Sequence, residues 1–173
     1  MVDGSSSIGI RNFVRILRFI QRTIASFRVG GKFARFGLIE YSNRPYLIFG
    51  FNRYRGKAAL LKAVGKVRYI RGKVRTGLAL RYANRLFRSR SSKRAKIVIL
   101  ASDRKSRDDV AVPARALHRK RVTIVAVGVG MKYSNKDLKQ AATDRSYIFT
   151  SHFKNLGSIV RAIKKAVCTG RAS

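Results

Sequence analysis

Asp3-Gly4-Ser5-Ser6-Ser7 places one carboxylate and two hydroxyls at alternate positions, just ahead of an apolar-periodic stretch. These are hard oxygen donors, the kind that Mg²⁺ and Mn²⁺ take into octahedral shells. A plainer role for the pentapeptide is a serine-rich turn whose side chains cap the following helix. A second acidic stretch, Ser102-Asp103-Arg104-Lys105-Ser106-Arg107-Asp108-Asp109, favours the chemical role. The chain has seven Asp and Glu, and Asp3, Asp103, Asp108 and Asp109 all fall in these two stretches. Asp108 and Asp109 suit the N-terminus of the next helix through its dipole. Asp3, Ser5, Ser7 and Asp103 remain as candidate metal ligands.

Such donors converge only if a fold brings both stretches to one place. Phe13, Ile16, Leu17, Ile20, Ile24 and Phe27 follow one helix face, which Val29-Gly30-Gly31 ends. Segments 36–41 and 46–51 read as strands joined by a hairpin turn at 42–45, the second an antiparallel edge. Leu60, Leu61 and Val64 mark a short helix, and Leu78, Tyr82, Leu86 and Phe87 another. The apolar runs 96–101 and 122–129 read as parallel strands buried on both faces, with room for a crossover helix at 110–120. A short strand at 147–150 and an amphipathic helix through Leu156, Ile159, Val160, Ile163 and Val167 close the chain. Strand alternating with helix predicts an α/β fold. Its sheet is doubly wound and mostly parallel, with one antiparallel edge strand and helices on both faces. In such sheets ligands bind beyond the carboxyl ends of the strands, where Asp3 and Asp103 would both lie.

The 173 residues fit one domain, and 46% apolar content is enough for a core. Forty Lys and Arg give a formal charge of +33, against roughly 2–8 for ordinary small domains. The cations are spread along the whole chain, so the surface as a whole is basic, whether by divergence or by redesign. That charge attracts polyanions: sulfated glycans, nucleic acid or anionic lipid. Arg88, Arg90, Lys93 and Arg94 in a basic, serine-rich loop at 88–95, and Arg119, Lys120 and Arg121, are the densest candidates. Arg53-Tyr54-Arg55, Arg68-Tyr69 and Arg81-Tyr82 have the composition of a base-stacking surface, although core aromatics beside solvated cations have the same spacing. No motif for specific nucleic-acid recognition is present. No apolar run reaches membrane-spanning length, and the N-terminus lacks signal-peptide character. The single cysteine, Cys168, excludes an internal disulfide and leaves two readings, a buried free thiol or a partner outside this chain.

The chain resembles a von Willebrand factor A domain of the matrilin, cochlin and collagen (type VI and XII-like) group. The resemblance rests on VDGSSSIG at 2–9, NF at 12–13, FGLIEYS at 36–42, TGLAL at 76–80, IVILASDRKSRDDV at 97–110, VTIVAVGVG at 122–130 and the IV…C ending at 159–168. It implies one Rossmann-like domain over 1–168 with a short tail at 169–173, and a first strand cut short before Asp3. It further implies a secreted, extracellular-matrix adhesion module, with its signal peptide outside this chain, that binds proteins such as collagen. Its metal-ion-dependent adhesion site would take Asp3, Ser5 and Ser7 from one loop, a threonine from a second and Asp103 from a third, the partner completing the shell with a carboxylate. In relatives a terminal cysteine like Cys168 often pairs with one just upstream of the first strand.

The resemblance breaks where the second loop should supply threonine. Val74 holds that position, and Thr76 reaches the metal only if the loop shifts. Arg104 stands where the family has glycine, with Lys73 and Arg75 nearby. Each cation at about 8–10 Å opposes a divalent ion by roughly 1 kcal/mol in water-like screening. Mg²⁺ or Mn²⁺ binding is therefore expected to be weak or absent. An enzyme is not expected. His118 and His152 lack a nucleophile and orienting acid beside them, and Gly128-Val129-Gly130 lacks the third glycine of a dinucleotide fingerprint.

Overall fold

A computed structural model describes residues 1–87 and 94–169. It contains β1 (Val2–Asp3), α1 (Ile10–Ala25), β2 (Leu38–Tyr41), β3 (Pro45–Phe49), α2 (Lys57–Gly65) and α3 (Thr76–Leu86). There follow β4 (Lys96–Ser102), α4 (Ala111–Arg119), β5 (Val122–Val129), α5 (Asn135–Ala141), β6 (Ile148–Ser151) and α6 (Val160–Thr169). Two 3-10 segments, Arg145–Tyr147 and Phe153–Ile159, lead into β6 and α6.

The strands form one sheet in the order β3-β2-β1-β4-β5-β6. β3 runs antiparallel to β2 at one edge, and every other neighbour is parallel. β4 and β5 are the spine of the sheet, paired in register over seven residues from Lys96↔Val122 to Ser102↔Gly128. Ile124, Val125, Ala126 and Val127 are completely buried, as a strand covered on both faces must be. β1 is short, but it lies between β2 and β4, with Val2 opposite Glu40 and Ala101. The Met1 amino group adds a 2.7 Å bond to Ile99 O, and burial lowers its pKa to about 5.

α1 buries Phe13, Ile16, Leu17 and Ile24 against the core, the stripe expected from their spacing. It ends at Ala25, two residues before Phe27 and ahead of the glycines expected to stop it. The hairpin turn is one residue tighter than expected, since Pro45 already pairs with Tyr41. α5 was not anticipated. Over seven residues it buries only Leu138 and Ala141, too few apolar positions for a period to show. Cys168 is exposed on α6, which corrects the reading of a buried thiol. Among the described residues no helix is long and apolar enough to cross a membrane.

Candidate metal-ion site

The sheet order reverses between β1 and β4, and the parallel register there sets Asp3 beside Ser102, one residue ahead of Asp103. Asp3 ends β1, and its Oδ1 accepts from Ser5 N at 2.9 Å, which folds the serine loop back over the strand end. Its Oδ2 accepts from Ser102 Oγ at 3.2 Å. Ser5 Oγ and Ser7 Oγ lie 3.0 Å apart, and Ser7 Oγ donates to Asp103 Oδ1 at 2.8 Å. Four residues read as ligands from the sequence are thus brought together, the hydroxyls linking the two carboxylates. Asp3 is fully buried and Asp103 nearly so.

The electrostatics are those of a crowded anionic pocket. Burial, with a smaller contribution from the Asp103 charge, raises the pKa of Asp3 to about 6. Burial likewise raises that of Asp103, with Ser7 and Arg104 opposing the shift. Two desolvated carboxylates held together by hydroxyls suit a small hard cation, which would relieve their repulsion. Among the described residues no three His, Cys, Asp or Glu side chains gather at one point. The candidate donors are two carboxylates and two hydroxyls.

In the second loop the threonine position is taken by Val74, and Thr76 follows two residues later. Val74 is buried, and its carbonyl accepts from Arg107 N at 2.9 Å. Thr76 is the buried first residue of α3, with its N–H on Ser106 Oγ at 2.9 Å and its side chain beside Tyr41. No hydrogen bond joins its hydroxyl to Asp3, Ser5, Ser7 or Asp103 among the described residues. Arg104 Nε lies 3.7 Å from Asp103 Oδ2 and competes for that carboxylate. Lys73 and Arg75 are exposed on the second loop.

The remaining parts of the site are structural. Ser6 N donates to Gly72 O at 2.9 Å and Gly72 N to Ser6 Oγ at 3.0 Å, tying the first loop to the second. Gly72 has φ 113°, a conformation that side chains rarely adopt. Tyr69 stacks on Phe13 at 4.9 Å, and its hydroxyl donates to Ser5 O at 2.6 Å and accepts from Gly9 N at 3.0 Å. Its ring therefore supports the metal loop, and Tyr54 likewise packs on Phe49 at 5.2 Å.

The von Willebrand factor type A domain profile matches residues 1–162. The chain belongs to this family. Human vitrin is 35% identical over 98% of this chain, which spans 25% of vitrin. The human collagen alpha-1(XXI) chain is 30% identical over 97% of this chain, which spans 18% of it. Proximal thread matrix protein 1 of the mussel byssus superposes with a TM-score of 0.88 at 26% identity, covering 96% of this chain and 44% of that protein. A second structure of that protein has zinc in its metal-ion-dependent adhesion motif, and superposes with a TM-score of 0.87 at 25% identity. This von Willebrand factor A domain thus spans about a quarter or less of vitrin and the collagen chain.

Two acidic residues that shape the site escaped the sequence reading. Glu40, on β2 opposite Val2, is buried, and its Oε1 accepts from Ile70 N at 3.2 Å. A Cβ at Gly4 would meet that oxygen, so a larger residue in the serine loop would have to push the Glu40 side chain aside. Burial raises the Glu40 pKa to about 7. The available signal was a carboxylate between Ile39 and Tyr41 in a chain so poor in acids. Asp137 Oδ2 accepts from Ser106 N at 2.6 Å, and its own N–H donates to Ser134 Oγ at 3.2 Å. Ser134-x-x-Asp137 is a capping-box spacing legible in the sequence.

Asp108 corrects an expectation. Its carboxylate accepts from Gly77 N at 2.9 Å and Leu78 N at 2.7 Å, so it caps α3 and not the helix that follows it. Asp109 does serve the following helix, accepting from Ala111 N and Val112 N at 3.1 Å each. His118 is half-buried. It bonds toward Ala141 of α5, its Nε2 is buried without a hydrogen bond, and burial lowers its pKa. His152 precedes the 3-10 segment before α6, with no capping bond from its side chain. Of the candidate polyanion residues, Arg88, Arg90 and Lys93 lie outside the described residues. Arg94 donates to Gly31 O and Phe33 O, and Lys120 Nζ to Asn84 O at 2.7 Å. Arg119 ends α4 and Arg121 follows with φ 57°, at the amino end of β5.

Proposed function

We propose that this von Willebrand factor A domain is a secreted matrix module, extending over 1–168 with a tail at 169–173, that binds proteins such as collagen. Its metal-ion-dependent adhesion site is degenerate, and its role is adhesion rather than catalysis. The observation that carries this reading is the hydrogen-bonded run Asp3–Ser5–Ser7–Asp103 across the ends of two adjacent parallel strands. A bound Mg²⁺ or Mn²⁺ would supply an open coordination position for a partner's carboxylate. Asp3 and Asp103 would supply the charge, and Ser5 and Ser7 two neutral oxygens. Val74 withholds a fifth donor, and Arg104 ties up part of Asp103, so the affinity is low. Calorimetric titration with Mg²⁺ and Mn²⁺ tests this, with Asp103→Ala as control. Weak saturable binding that disappears in the variant is expected. Heat unchanged by Asp103→Ala would rule out a cation-dependent site here.

The charge supports a second reading, binding of sulfated glycans or other polyanions. Seven acids cannot neutralise forty cations, and the described residues form one ion pair, Arg104 with Asp103. Such binding would ignore chelators and fall steeply with salt.

A further inference from the structure

We propose that segment 25–36 and the cations gathered on it form a docking surface for a sulfated glycan, at the end of the sheet opposite Asp3 and Asp103. This rests on the polyanion reading and gives it a place and a ligand class. The segment runs from the end of α1 toward the start of β2, so it lies at the amino ends of the parallel strands. The metal-ligand candidates lie at the carboxyl ends.

Four other parts of the chain meet this segment. From α2, Lys57 Nζ donates to Ala25 O at 2.9 Å. From α6, Lys164 Nζ stands 6.0 Å from the Phe27 ring. Arg94, just before β4, donates to Gly31 O and Phe33 O. From the segment itself, Arg28 lies 4.1 Å over the Phe33 ring, and Arg35 donates to Asn52 Oδ1 at 2.7 Å. Lys32 lies between them. All six cations are exposed.

Among the described residues no carboxylate pairs with Arg28, Lys32, Arg35, Lys57 or Lys164. Asp3, Asp103, Asp108, Asp109 and Asp137 lie at the opposite end, and Glu40 is buried inside β2. Asp144, ahead of β6, accepts from Ser146 N and Oγ. Sheet order puts it several strands from the start of β2. Arg119, Lys120 and Arg121, just ahead of β5, add charge at the same end as segment 25–36.

Two features favour a glycan over nucleic acid. Single-stranded nucleic acid gains much of its affinity by stacking bases on open aromatic faces. Here Phe33 carries Arg28 and Phe27 lies beside Lys164, so the rings orient cations. Carbonyls and rings also hold several of the long side chains in place, which lowers the ordering cost when sulfates bind. Guanidinium and ammonium groups so presented match a linear polymer whose charges project from a saccharide with little to stack.

The experiment compares two charge-matched double variants of the full chain binding a heparin-derived oligosaccharide. Lys32→Glu with Lys164→Glu alters the proposed surface. Lys132→Glu with Lys136→Glu makes the same charge change near the carboxyl ends. Thermal melts establish that both fold. The first is expected to lose about tenfold or more in affinity and to lower the salt slope by about 2, the second to change by less than about threefold. Chelator is expected to leave binding unchanged. Equal losses in both variants would overturn the location and leave the polyanion reading standing. No heparin binding by the parent near physiological salt would overturn both. Single-stranded DNA bound as tightly, with the same variant pattern, would overturn the glycan assignment.

Discussion

Two buried residues lie beside the serine loop, Glu40 and Val74. Glu40 is raised from 4.5 to about 7, so its proton is held more tightly in the folded than in the unfolded state. Its contribution to stability is complete below about 4.5 and is lost as pH rises through about 7. Asp3, raised from 3.8 to about 6, acts in the same direction in a lower window. His118 opposes them, because its depressed pKa removes stability as pH falls below 6.5. The Met1 amino group, lowered from 8.0 to about 5, opposes them as well, removing stability as pH falls below 8, so the parent's profile between pH 8 and 6.5 is set by the balance of these groups. Glu40→Gln should melt higher than the parent at pH 8, and the gap should narrow as pH is lowered to 6.5; a gap that widens would exclude this account. Val74 is the second residue. Val74→Thr with Arg104→Gly restores an oxygen and removes the cation nearest Asp103. Calorimetry should show Mn²⁺ affinity raised by about tenfold or more. Burying the new hydroxyl costs about 1–3 kcal/mol of stability unless the metal or a neighbour takes it up.

At the scale of elements, the third loop holds two helices by their N-termini. Asp108 accepts from two amides of α3 and from Ser106 Oγ at 2.6 Å, and Asp109 accepts from two amides of α4. Asp108→Ala should cost about 1–2 kcal/mol, read as about 2–4 °C per kcal/mol in a domain of this size. Asp109→Ala, on an exposed side chain, should cost less. Gly77→Ala should be worse than either, because its Cβ would strike Asp109 O. Thermal melts of the three variants test this order. The strands other than β1 and the larger helices were legible because each carries its own apolar pattern. The Asp-x-Ser-x-Ser loop and Asp103 were legible because acids are scarce. The partner of Asp108 was not, since the nearest helix N-terminus in sequence is α4 and the nearest in space is α3. Glu40 and α5 were missed for related reasons, one acid hidden within a strand and one helix too short to show a pattern.

Over the whole molecule the dominant fact is a charge of +33 on a fold whose exposed cations have few anions to face. Self-repulsion opposes the compact state and is screened by salt. Raising ionic strength from about 0.01 M to 0.1 M shortens the Debye length from about 30 Å to about 10 Å. The melting temperature should rise over that range, and a fall would mean that attractive pairs outweigh repulsion. The same change should weaken polyanion binding, so stability and binding respond to salt with opposite signs.

Local patterning in the sequence determined the alternation of strand and helix, the parallel core strands, the antiparallel edge and the candidate donors of the serine loop. Each is a property of residues a few positions apart. The threonine that Val74 replaces was visible only through the resemblance to the family. Tertiary structure decided what depends on distance between remote residues. Parallel register brings Asp3 to Ser102 and Asp103, and helix packing turns Asp108 toward α3. Sheet burial shifts the proton affinity of Glu40. Helices α2 and α6 and the stretch before β4 bring cations to segment 25–36, because parallel strands send their connections to only two ends.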